Sequence, residues 1–175
     1  KYVQRMRNHG AWDTKNISSW DLSLDGAAEI NSFLNASSDV YYFSYSFSAT
    51  KKDKLTGYHI PSKDVFLLIR SRAKLLGSRV VFTNNGSETD STWWENDGIV
   101  NSRSMRGPTT GQNGADPITE YLPSEPLMQG QWYTFESIKL DHYQSVGHML
   151  SNEKREMLDS IYINHAQLLW SLPKY

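Results

Sequence analysis

Apolar residues recur along this chain with two different periods. After Ser23 and Asp25, either of which can cap a helix, Ala27, Ile30, Phe33 and Leu34 fall at helical spacing, so the pattern predicts a helix ending at the turn-forming stretch 35–39. The period then changes to two: within 40–48, Tyr41, Phe43, Tyr45 and Phe47 share one parity and Ser44 and Ser46 the other, which is a strand with one apolar face. Residues 49–62 are polar, contain Gly57 and Pro61, and read as a loop. The stretch 65–76 groups its apolar residues as a helix does and stops near Gly77, and 79–83 is a short strand candidate. From Asn84 to Trp132 Gly, Pro, Ser, Asn and Thr dominate, and so long a connection points to a site held at its two ends. Residues 133–140 have strand character and run into Asp141 and His142. Ser151 then opens a long final helix whose apolar positions Met157, Leu158, Ile161, Leu168 and Leu169 predict packing on a sheet. Helices and strands succeeding one another in this way indicate the α/β fold class.

Composition narrows the function classes. At 175 residues the chain is the size of one domain. Lys and Arg together number 18 and Asp and Glu 19, a net charge of −1, which excludes a polybasic nucleic-acid binder and an acidic disordered tail. No apolar run approaches the roughly 18 residues of a membrane span. Lys1 opens a polar stretch without the apolar centre of a signal peptide, and it reads as the start of a processed or truncated product. The absence of cysteine removes disulfides, thiolate zinc sites and cysteine nucleophiles. Aromatic residues reach 13%, with six Trp and ten Tyr, so the rings serve either as core side chains with polar tips or as a carbohydrate or apolar-ligand surface.

Two residues carry the most pointed chemistry. Hydrolysis by a serine needs a base to take its proton and a carboxylate to fix that base. His142 follows a strand candidate, and Asp97 lies in Trp93-Trp94-Glu95-Asn96-Asp97-Gly98-Ile99-Val100, a polar turn between bulky rings and an apolar run. Asp before His is the order of the α/β-hydrolases. Taken alone, an Asp-Gly pair is most often a turn and a single His near a strand end is most often structural. The nucleophile elbow Gly-x-Ser-x-Gly does not occur in the chain, so no complete triad of that kind resides here. His9, Asp13, His59, Asp64, His142 and His148 could ligate metal, yet none shows His-x-x-x-His spacing, and each reads as a surface or structural residue. The glycan acceptor sequences at Asn16, Asn35 and Asn85 are too common in an Asn- and Ser-rich chain to argue for secretion.

The segment 93–101 followed by Ser104-Met105 and Gly107-Pro108 resembles the stretch bearing the catalytic Asp of the secreted bacterial triacylglycerol lipases, the Geobacillus-like and staphylococcal group. Asp141-His142 with Val146-Gly147 resembles the same family's catalytic His segment. Trp12, Asp21-Leu22-Ser23, Gly26-Ala27, Asn31, Ala36-Ser37, Tyr41-Tyr42 and Leu55-Thr56-Gly57 are similar to the region after its lid. The likeness weakens over 62–92 and after about residue 150.

The resemblance implies that residues 1–175 form the C-terminal part of a single α/β-hydrolase domain: half of a sheet with flanking helices, completed by another chain or an N-terminal half that supplies the serine, the oxyanion hole and most of the lid. It implies Asp97 and His142 as two members of a Ser-Asp-His triad, an ester-lipid substrate, secretion, and a cleaved or two-chain protein. Departures are equally specific. The family's calcium takes acidic residues two and seven positions after the catalytic His, here Gln144 and Met149, and a backbone carbonyl at a Gly position that falls near Asp64. Its zinc takes an Asp where Asn16 stands, with Asp13 only nearby. Neither metal is therefore expected, because a hard cation needs anionic oxygens. The alternatives are a catalytically silent lipase-like subunit acting in lipid binding or assembly, and an aromatic-faced carbohydrate-binding module, which predicts exposed coplanar Trp rings.

Overall fold

A computed structural model describes residue 15 and residues 18–108 and 118–173. Among these lie α1 (Ser18–Asp21), α2 (Leu24–Asn31), β1 (Tyr42–Ser44), β2 (Thr50–Lys52), β3 (His59–Pro61), α3 (Arg70–Leu76), β4 (Ile118–Glu120), β5 (Trp132–Thr134) and α4 (Asn152–Ser171). Short 3-10 turns occupy Leu67–Ile69, Ser91–Trp93, Ser102–Met105 and Gln144–Val146. His9, Trp12, Asp13 and Asn16 fall outside the described residues. The chain divides into two compact units.

The first unit comprises the described residues of 1–46, 80–90 and 104–136. Of the two cap candidates Ser23 is the cap: its Oγ accepts the Gly26 N–H at 3.0 Å, while Asp25 lies in the first turn, where a negative charge suits the helix dipole. The helix stops at Asn31, so Phe33 and Leu34 lie beyond it and are exposed. Strand β5 pairs on both sides, with β1 and β4, and both pairings are parallel. Register sets the side chains. Tyr42 faces Trp132 and Phe43 faces Tyr133 across the β1–β5 pair, and the rings stack with centroids 4.8 and 5.8 Å apart. Beyond the strand ends Phe135 continues the series, 4.2 Å from Tyr45 and 4.6 Å from Tyr121. The rings stack on one another instead of lying open in a row, so this part of the chain lends no support to a carbohydrate platform.

Two expectations change here. The strand expected over 40–48 is regular for three residues only, with Phe47 adding an isolated bridge to Ile138. Its burial is also inverted: Ser46 and Ser48 are each 1% exposed whereas the alternating rings are only half-buried. Alternation predicts which face is apolar, but small hydroxyls fit where a close neighbour leaves no room for a ring. Strand β4 lies inside the stretch expected to be one long loop.

The second unit comprises the described residues of 47–79, 91–103 and 137–175. Residues 49–62, expected as a loop, form an antiparallel hairpin with Lys51 opposite Ile60. Asp53 closes it: its carboxylate accepts from the Thr56 N–H at 3.2 Å and the Thr56 hydroxyl at 2.7 Å, and Gly57 supplies the positive φ of 74°. The helix expected over 65–76 begins as the 3-10 turn at 67–69 and continues as α3. It ends at Gly77 in ordinary right-handed geometry. The glycine is needed for close approach, since a Cβ there would lie 1.9 Å from the His59 carbonyl oxygen. Ala49, Val65 and Ile69 form the buried apolar cluster, with Phe66 and Ile99 packed against it. Ser151 caps α4 as expected, its Oγ accepting from the Lys154 N–H. Leu158 is the buried residue of α4, with Lys154, Ile161, His165 and Leu168 half-buried on the same helical stripe. Met157 and Leu169, counted as apolar positions, are exposed. The side-chain bonds that fasten α4 reach Asp64 and the 144–146 turn, where packing on a sheet was expected.

Phe135→Ala removes three ring contacts and should cost about 2–4 kcal/mol, below the value for a fully buried ring because Phe135 is only half-buried. Urea unfolding followed by tryptophan fluorescence checks this.

Candidate functional site

The second unit brings Asp97 and His142 together, although 45 residues separate them. Asp97 Oδ2 lies 2.7 Å from His142 Nδ1; the Asp97 side chain is 2% exposed and the His142 side chain 44%. Each carboxylate oxygen has its own task. Oδ1 accepts the N–H groups of Ile99 and Val100 at 2.8 and 2.7 Å, which closes the turn after Asp97 and leaves Oδ2 directed at the imidazole. The backbones are tied as well, the His142 N–H donating to the Asp97 carbonyl at 3.0 Å.

The Asp97 turn is built from its neighbours. Asn96 has no exposed surface; its amide donates to the carbonyls of Ala73 at 3.1 Å and Trp94 at 2.9 Å, and its carbonyl oxygen accepts the Gly98 N–H at 2.9 Å. Gly98 adopts φ 98°, and a Cβ on it would meet the Ile69 side chain at 2.7 Å, so both its dihedral and its space require glycine.

The His142 turn is held by Asp141, itself 1% exposed. Its carboxylate accepts the N–H groups of Phe66 at 2.8 Å, Tyr143 at 3.0 Å and Gln144 at 2.9 Å. Gln144 Oε1 reaches back to accept the Asp141 N–H at 3.1 Å, a reciprocal pair of the capping-box type. The Asp-x-x-Gln spacing that makes it was present in the sequence and went unread, as did the roles of Asn96 and Lys154. Ser145 Oγ donates to the His142 carbonyl at 2.8 Å and completes the frame.

The other candidate residues do not join this pair. His59 Nδ1 lies 3.2 Å from Thr50 Oγ1, and burial lowers the ring's pKa from the ordinary imidazole value. His148 is exposed. Among the described residues no group of three or more His, Asp or Glu side chains could hold a metal ion. The positions that the lipase resemblance allots to calcium do not fit it. Gln144 is neutral and its Oε1 already accepts two N–H groups, from Asp141 and from Lys154 Nζ. The Asp64 carbonyl accepts the Gln144 side-chain N–H at 3.1 Å, and Met149 is exposed with φ 55°.

Chemically, a buried carboxylate bound to Nδ1 favours the imidazole tautomer that carries its proton there. The ring is thereby left with Nε2 as a proton acceptor on a partly exposed side chain. Short β-sheets and helices give the chain α/β character, in keeping with part of an α/β-hydrolase fold. Residues 1–169 match the family described as "Lipase-like, C-terminal domain", and the chain belongs to it. Among its curated relatives the lipase of Staphylococcus hyicus is 26% identical over 167 residues, 94% of this chain and 24% of that protein. Lipase 2 of Staphylococcus aureus is 24% identical over 148 residues, 83% of this chain and 19% of that protein. Among solved structures EstA from Clostridium botulinum matches with a TM-score of 0.75 at 32% identity, over 91% of this chain and 37% of that one. The Staphylococcus hyicus lipase structure matches with a TM-score of 0.76 at 23% identity, over 96% of this chain and 40% of that one, and it speaks for the fold alone. The chain therefore spans about a quarter or less of the length of these curated relatives.

The Asp64–Lys154 ion pair gives the unit an acid-sensitive element. The Lys154 hydrogen bond lowers the Asp64 pKa from its ordinary 3.8, so the unfolded chain takes up this proton at higher pH than the folded one. The pair's stabilisation is present above the ordinary value and is lost as pH falls through the folded one. Stability should fall more steeply in the wild type than in Asp64→Asn below about pH 4, with the two curves converging at the acid end. Thermal melts across that range provide the check.

Proposed function

We propose that this chain forms the C-terminal part of a single α/β-hydrolase domain and supplies the Asp and His of a Ser-Asp-His triad. The enzyme is a carboxylic ester hydrolase acting on triacylglycerol-type lipids, and the serine comes from an N-terminal segment or a companion chain. The reading is carried by one observation, the 2.7 Å contact between a buried carboxylate and a half-exposed imidazole. It is supported by membership of a lipase-like family and by the lipases among its relatives. An extracellular setting accords with the resemblance to secreted lipases.

In this scheme Asp97 accepts a hydrogen bond from Nδ1–H of His142 and holds the ring so that Nε2 meets the serine hydroxyl. Nε2 takes the serine proton as the oxygen adds to the ester carbonyl, and the resulting imidazolium is stabilised by the Asp97 carboxylate. The same proton passes from Nε2 to the leaving alcohol as the acyl-enzyme forms. A water molecule then repeats the sequence, deprotonated by Nε2, and the acid is released with the serine restored. The carboxylate remains ionised throughout.

Asp97→Asn and His142→Ala should each lower kcat/KM for ester hydrolysis by about 10⁴-fold in the protein that includes its serine-bearing segment, with circular dichroism unchanged. Activity retained in both variants would defeat the assignment. A wild-type assembly that binds ester lipid and hydrolyses none would favour a catalytically silent lipid-binding subunit.

A further inference from the structure

Lys154 occupies an electrostatically unfavourable place. It stands in the first turn of α4, where unpaired N–H groups favour anions, and a lysine there opposes the helix dipole. Its side chain nonetheless turns inward and is 21% exposed. Nζ donates to the Asp64 carboxylate and, at 3.0 Å, to Gln144 Oε1. That oxygen also accepts the Asp141 N–H, and the Gln144 side-chain N–H donates to the Asp64 carbonyl. One ammonium thus joins three segments that are remote in sequence: the residues leading into the 3-10 turn at 67–69, the turn carrying His142, and the last helix.

We propose that the Lys154 ammonium is a covalently tethered cation that fixes the His142 turn, standing on the ground between positions 64 and 144 that the resemblance allots to calcium. His142 is then positioned without metal. An ammonium suits this donor set and a divalent ion does not. One carboxylate balances the single charge of the ammonium and one neutral carbonyl oxygen takes a second N–H, both of which are present, whereas a hard dication in a site with a single carboxylate lacks charge compensation. Lys154 touches no reacting atom in this arrangement. It is a positioning residue, acting through Gln144 and Asp141 on the turn that holds the imidazole. The inference rests on the proposed function only where turnover is concerned; the fastening of the turn stands apart from it.

The test uses the protein with its serine-bearing segment. Calorimetric titration of the wild type with millimolar CaCl2 should give no binding heat, and its melting temperature in EDTA and in CaCl2 should agree within about 1 °C. Lys154→Met should melt lower than the wild type. At a temperature where that variant is still folded, its kcat on a soluble p-nitrophenyl ester should fall about 10- to 100-fold with KM changed less than about twofold, because a displaced base costs transition-state and not ground-state interactions. Lys154→Arg, which restores the cation and its donors, should recover most of the lost kcat. Calcium binding that raises the wild-type melting temperature would overturn the proposal, and so would a Lys154→Met variant that melts lower with kcat intact, since the lysine would then be merely structural. If the wild type hydrolyses no ester, the proposed function fails, while the calcium titration still decides whether a metal stands on the ground assigned to Lys154.

Discussion

A carboxylate with 2% of its side chain exposed, touching an imidazole with 44% exposed, is the interaction on which the rest of this structure depends. Burying a charged group is costly unless each of its oxygens finds a donor, and both oxygens of Asp97 do. Two backbone N–H groups take one oxygen, and the His142 ring takes the other. Removing the ring would leave a desolvated oxygen without this partner. The arrangement is therefore self-specifying: the turn forms around the carboxylate, and the carboxylate then has one direction in which to accept the ring.

The surroundings extend the same logic without regular secondary structure. Asp141 and Asn96 are buried polar residues whose bonds run chiefly to backbone groups, so each acts as a substitute for the ladder hydrogen bonds that a strand or helix would supply. Lys154 brings the last helix into that network from outside. A chain with three-residue strands and long connections can hold two side chains within 2.7 Å only because its loops are fastened atom by atom. The aromatic stacks do the corresponding work in the other unit, where in-register pairing of β1 with β5 sets ring against ring.

What could be read from the sequence follows from how local each signal is. The cap at Ser23, the Ser151 cap of α4 and the Asp-Gly turn at 97–98 are written in adjacent residues, and all three stand in the structure. The hairpin at 50–61 and strand β4 were not legible, because Thr-Lys-Lys, His-Ile-Pro and Ile-Thr-Glu are too short to show a period and their pairing is decided by distant chain. The Val40–Ser48 pattern was legible as a strand and misleading about burial, since alternation records polarity and the enclosure of Ser46 and Ser48 records shape. At the site, Asp97 and His142 were named from motif and family likeness. The loss of acidic residues at 144 and 149 was visible too, but the lysine that fills the ground was not, because Lys154 lies 90 residues from Asp64 and no local pattern ties the two.

The role proposed for this chain is that of holder and orienter of a base whose nucleophile lies elsewhere, and membership of a lipase-like family and the geometry around His142 support it. The whole proposal reduces to a statement about one proton. Nitrogen-15 NMR of histidine-labelled protein at neutral pH measures it directly, with His142→Ala identifying the signal. If Asp97 orients the ring, the His142 Nδ1 carries a proton bonded to Asp97, and the singly protonated ring leaves Nε2 as the bare nitrogen. A His142 ring that carries its proton on Nε2, or that exchanges freely between tautomers as an unattached imidazole does, would contradict it.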